Sequence, residues 1–135
     1  MKIFAALLGG LALFASCTKT VTQVQKVDQA FSAIYTLNPS GWSSSNGGLS
    51  YSTTLNVPEL DNDIQNNGAV IVYLSFDNGS NYEAIPEEFD GISYGSVHSV
   101  GQVFLDFHDI TGATVSPPGA AILAKVVLLH ATALP

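Results

Sequence analysis

The chain has 135 residues, 47% hydrophobic and 11% charged, so it carries enough apolar surface for a packed core and lacks the composition of a disordered polymer. Acidic residues outnumber basic ones by 11 to 4, Arg is absent, and the formal net charge is −7. That balance argues against nucleic acid as a partner, because Lys and Arg supply the affinity for phosphate, and against peripheral adsorption to anionic lipid.

The first element is a leader. Lys2 precedes an apolar run over residues 3–14, and small residues Ala15 and Ser16 lead into Cys17, the only Cys of the chain. A positive start, an apolar stretch of about 7–15 residues and small residues at the cut define a secretory signal. The stretch is expected as a signal helix and is too short to cross a bilayer, which takes about 20 apolar residues. Phe14-Ala15-Ser16-Cys17 resembles the lipobox of bacterial lipoprotein precursors, with Phe14 standing where Leu, Val or Ile is usual. The resemblance implies cleavage between Ser16 and Cys17, acylation of Cys17 with palmitate-type chains, and attachment to a membrane through that covalent lipid. Because Thr18 and not Asp follows Cys17, the resemblance further implies the outer membrane. Two or three acyl chains, at about 0.8 kcal/mol per buried methylene, hold a protein firmly. Removal of residues 1–16 leaves 119 of the 135, with three Lys against 11 acids, a charge of −8. The expected division is therefore a signal peptide over 1–16, a lipidated Cys and tether over 17–28, and one domain over 29–135. Such a tether reaches roughly 35 Å at about 3.3 Å per residue.

From Ala30 onward apolar residues alternate with polar ones and turn signals recur, which predicts an all-β domain. Residues 30–37 form a first strand, ended by Asn38-Pro39-Ser40-Gly41, and the Ser- and Gly-rich stretch 43–48 is a loop. Over 49–57, Leu49, Tyr51, Thr53, Leu55 and Val57 fall on one face, a strand with one side on a core. Pro58, then acids, then Asn67-Gly68 bound a short helix near 59–67, with Leu60 and Ile64 closing one end of the core. Residues 69–76 are apolar on both faces and read as a strand inside a sheet. A turn at 77–81 leads to a short strand ending at Ile85-Pro86, then 92–97 and 102–108 pair around Ser99-Val100-Gly101, and 121–130 is the last strand. About seven strands point to an antiparallel β-sandwich of immunoglobulin-like dimensions. Asp63-Ile64, the run 67–74, Ile85-Pro86 and Val126-Val127 are similar to a group of small uncharacterised Gram-negative lipoproteins; the resemblance implies the fold and the anchor and carries no activity.

Four groups of residues offer chemistry. Gly91-Ile92-Ser93-Tyr94-Gly95 matches G-x-S-x-G, but a nucleophile elbow needs a helix after the Ser and an α/β sheet, and here a strand continues. Asp106, His108 and Asp109, with His98, offer metal-ligand types, yet the alternation puts Asp106 and His108 outward and leaves His98 at the far end of the hairpin, with His108 opposite Ile92. Zinc needs three or four converging ligands, so neither a metal nor a cofactor is expected there. Asp61 and Asp63 are hard oxygen donors suited to a weak calcium site, although no EF-hand spacing is present. Trp42, Tyr51, Tyr82 and Tyr94 could stack on a sugar, Trp42 and Tyr82 being the leading ligand-binding candidates and Trp42 the one expected to be partly exposed. The expected function is a non-enzymatic, lipid-anchored binding or structural module of the cell envelope, with an envelope protein or glycan as partner. The alternatives are a small envelope hydrolase using Ser93 or the Asp106/His108 pair, and an accessory subunit of an envelope complex.

Overall fold

The computed structural model describes residues 30–135. The signal segment, the Ser16/Cys17 cleavage point and the tether all lie outside the described residues. The remainder is a two-layer all-β structure. Strands β1 (Ala30–Leu37), β2 (Ser50–Asn56), β3 (Ala69–Ser75), β4 (Glu83–Ile85), β5 (Glu87–Phe89), β6 (Ile92–Ser99), β7 (Gln102–Asp109) and β8 (Ile122–Leu129) form two antiparallel sheets. The first sheet has the order β1-β8-β3-β4 and the second β2-β7-β6-β5.

Period-two alternation explains most of this. In β8, Ile122, Ala124, Val126 and Leu128 are buried while Leu123, Lys125, Val127 and Leu129 are half-buried on the outer face. In β7, Val103, Leu105 and Phe107 turn inward between Phe104, Asp106 and His108. Tyr51, Thr53 and Leu55 of β2 follow the same rule, and Val57 just beyond it is buried, but Leu49 is 45% exposed because the strand begins one residue later. The strands number eight, not seven: β5 is an extra three-residue edge strand paired with β6. The chain reaches it from β4 through Pro86, whose bond with Ile85 is cis.

The helix is α1 (Asn62–Asn67), capped by Asp61, whose carboxylate accepts from the Ile64 backbone N–H at 2.9 Å. Leu60 and Ile64 are fully buried and close one end of the sandwich, where the Gly101 backbone bonds to Leu60 and Val57. At this end the first rung of the β1–β8 ladder, Ala30↔Leu129, meets the first residue of β3, Ala69. The opposite end carries the connections 38–49, 76–82, 90–91 and 110–121, roughly 23 Å away at about 3.3 Å per residue along β1. The two ends are called the entry pole and the loop pole below.

Candidate functional site

The main concavity of the described residues lies at the loop pole. Phe107 closes β7 there, buried to 5%, and gathers three other rings: Trp42 edge-on at 5.1 Å between centroids, Tyr51 stacked at 5.7 Å and Tyr94 tilted at 5.8 Å. Phe76 extends the row, 5.2 Å from Tyr94 and 43% exposed. Tyr94, Phe107 and Phe76 form one wall of a cleft of about 960 Å³, counted with its open mouth. The other wall is the connection from β7 to β8, with Thr114, Val115, Ser116 and Pro118. That connection is stitched to the 38–49 loop by the Val115 N–H bonding to the Gly48 carbonyl at 2.8 Å. A cleft of this size, walled by aromatic and aliphatic groups with a few polar ones, is the ordinary form of a small-molecule site.

One acid, Asp109, lines it, and three more lie near Tyr94 of its aromatic wall. Asp109 lines the cleft and accepts the Thr111 hydroxyl and, at 2.7 Å, the Thr111 backbone N–H, and these bonds hold its carboxyl below the ordinary Asp value. Glu87 is the cross-strand neighbour of Tyr94 and shares its inward face. Glu83, opposite buried Leu74, turns inward from β4. Glu83 Oε2 and Glu87 Oε1 are both hidden from solvent with no other hydrogen-bond partner. Burial first, then the hydrogen bond and charge of Glu83, raise the Glu87 pKa. Tyr94 is also raised, by burial and then by the charges of Glu87, Asp90 and Glu83. A second, smaller groove of about 440 Å³ runs beside β1 between Phe31, Tyr35, Val57 and Glu59. Tyr35 there is raised by burial and by Glu59.

The residues singled out from sequence are dispersed. Trp42, expected at the surface, is 6% exposed: Pro39–Gly41 form a 3-10 turn that folds the chain back, and the indole drops against Phe107. Its Nε1 is buried without a partner. Tyr82 is on the outer face of the first sheet, where the Lys125 ammonium lies over its ring at 4.2 Å and over Tyr73 at 4.6 Å. The four aromatics therefore do not make one platform; Trp42, Tyr51 and Tyr94 converge on Phe107, and Tyr82 stands apart. Asp61 is the helix cap, while Asp63 accepts from Asn67 Nδ2 at 2.9 Å and meets His130 Nδ1 at 3.0 Å. No group of three or more metal-ligating side chains converges among the described residues.

Ser93, Asp106 and His108 come closer together than the sequence indicated. The β6–β7 turn has two residues, Val100 and Gly101, with Gly101 at φ 79°, which shifts the register by one and places His108 opposite Ser93, not Ile92. Asp106 is two residues along the same outer face, opposite Gly95. His108 Nδ1 and Asp106 Oδ2 are 3.8 Å apart, both side chains about half exposed, and no hydrogen bond joins Ser93 to His108 among the described residues. This group lies on an open sheet face, outside the cleft. His98 is at the entry pole, its Nδ1 2.8 Å from Gln65 Oε1. The cleft itself escaped the sequence reading because its walls come from four separated segments; the Pro- and Gly-containing stretch after β7 was the one local sign of a long loop able to form a wall. No protein-family profile, no curated protein and no solved structure matches this chain.

Proposed function

We propose that the protein is a lipid-anchored, non-enzymatic binding module of the cell envelope that takes a small apolar ligand in the cleft at its loop pole. The observation that carries the reading is the aromatic wall of Phe76, Tyr94 and Phe107 facing the 110–121 connection across an open cavity. Support for a binding role over hydrolysis comes from Ser93, Asp106 and His108, which lie on the outer face of the second sheet, outside the cleft and without a hydrogen bond from Ser93 to His108. Attachment rests on the resemblance of Phe14-Ala15-Ser16-Cys17 to a lipobox.

Two measurements test the two halves. Benzyl compounds titrated into the protein should alter the emission of Trp42, the only Trp, through its contact with Phe107, and should shift backbone amide resonances of residues 114–121. Unmoved emission and resonances at millimolar probe would remove the binding half. Cys17→Ser should abolish incorporation of labelled fatty acid and release the protein from membranes; unchanged fractionation would remove the anchor. A role as accessory subunit is the second reading, favoured by edge strand β1, where Ile34 is 58% and Phe31 42% exposed. A photo-crosslinker at position 34 that captured no partner in cells would count against it.

A further inference from the structure

The charge around the cleft is of one sign. Asp109 lines it, Glu87 shares the inward face of Tyr94, Glu83 meets Glu87 carboxyl to carboxyl, and Asp90 is close enough to Tyr94 to act on its hydroxyl. Among the described residues no base balances these acids. The chain has no Arg, and Lys125 is the only Lys among the described residues. Its ammonium is committed to Tyr73 and Tyr82 on the outer face of the first sheet. The histidines are also elsewhere: His98 and His130 at the entry pole, and His108 on the outer face beside Asp106.

The walls add a second attraction of the same sign. The face of an aromatic ring is negative, and a cation within about 6 Å of its centroid is drawn to it. Phe76 and Tyr94 offer such rings, their centroids 5.2 Å apart, and Phe107, 5% exposed and stacked on Tyr51, backs them at 5.8 Å from Tyr94. A cleft with low-dielectric walls and acids of one sign focuses its field and concentrates ligands of the opposite charge. An anionic ligand would meet repulsion from both the acids and the rings. A neutral apolar ligand would leave the field unused. The chain already contains one instance of the favoured chemistry, the Lys125 ammonium between two tyrosine rings.

We infer that the cleft is selective for a small organic cation, an alkylated ammonium group carried on an apolar or aromatic body. This rests on the reading of the cleft as a ligand site. The cation would lie against the rings of Tyr94 and Phe76, with Asp109 as its nearest carboxylate.

The test compares three probes of one size on the full-length protein in detergent: benzyltrimethylammonium, benzyl alcohol and phenylacetate. Binding is followed by Trp42 emission and by calorimetry. The expected result is a Kd for the cation about tenfold or more below those of the other two, weakening as salt is added. Asp109→Asn should erase most of that preference while leaving benzyl alcohol binding in place. If Asp109→Asn fails to fold, the double variant Glu83→Gln, Glu87→Gln, which leaves the aromatic wall intact, provides the same reading. Equal affinity for the alcohol and the cation would overturn the selectivity and leave the cleft as an apolar site. Binding of none of the three would overturn both the selectivity and the proposed binding function. A cation preference untouched by Asp109→Asn, or by the substitutions that replace it, would also sink the inference.

Discussion

Glu83 and Glu87 show how far a single residue's environment can depart from its sequence. In the chain they flank Ala84-Ile85-Pro86 and read as ordinary surface acids, yet in the fold they face each other between the two sheets. The folded protein binds a proton at Glu87 more tightly than the unfolded chain does, since its pKa lies above the ordinary 4.5. The Glu87 contribution to stability is therefore complete below about pH 4.5 and is lost as pH rises through the raised value. Asp90 and the Tyr94 hydroxyl are the other titratable groups near it, and Tyr94, itself raised, stays neutral over that range. Glu87→Gln, which keeps a hydrogen-bond donor without the charge, should flatten the loss of melting temperature between pH 4 and 8. A wild-type curve that climbs through that window with no change in the variant would contradict the raised Glu87 pKa. Asp77 acts in the opposite sense, held at about 2 by the Asn81 backbone N–H first and then by the Asn81 and Ser75 side chains, so its contribution is present above about 3.8 and lost toward pH 2. Burial of Trp42 was equally hard to foresee, because the partner that buries it, Phe107, is 65 residues away in the sequence.

Elements with a regular pattern were legible before their partners were known. The alternation in β2 and β8, and the apolar run of β3, are direct records of one or two buried faces, and β1 ends where the turn residues after Leu37 place its end. Three-residue β5 left no such record, since Glu87-Glu88-Phe89 is too short to show a period and is fixed by pairing with β6. The helix was legible from its ends, and its junction with β3 gives a sharp expectation. Gly68 follows α1, and a Cβ there would come within 2.1 Å of the Leu129 carbonyl oxygen and 2.9 Å of the Ile64 backbone. Those neighbours are backbone, so neither can yield by rotating a side chain. Gly68→Ala should cost roughly 3 kcal/mol or more, read as a lowered urea midpoint, by forcing α1 away from the β3–β8 ladder. A midpoint equal to wild type would show that the helix can move aside freely.

At the scale of the molecule, sequence delivered the layers and missed the cavity, because the cavity lies between β6, β7, Phe76 and the 110–121 connection and no stretch of chain encodes it alone. Topology then relates the cleft to the tether. β1 starts at Ala30 on the entry pole, while Phe76, Thr114 and Ile122 of the cleft lie on the loop pole. If Cys17 holds the protein to a bilayer, the cleft should open away from it. For lipidated protein on vesicles, a fluorophore at Leu134→Cys, 92% exposed beyond the end of β8, should be quenched by a headgroup quencher more strongly than one at Ser116→Cys. Equal quenching would mean that the domain lies on its side. The same topology decides how the molecule carries force. A load between the tether and anything gripped at the loop pole runs along the strands, so the eight rungs from Ala30↔Leu129 to Leu37↔Ile122 are strained together in shear instead of opening one after another. The strand that receives the pull is thus fastened in the direction in which a hydrogen-bonded ladder yields last.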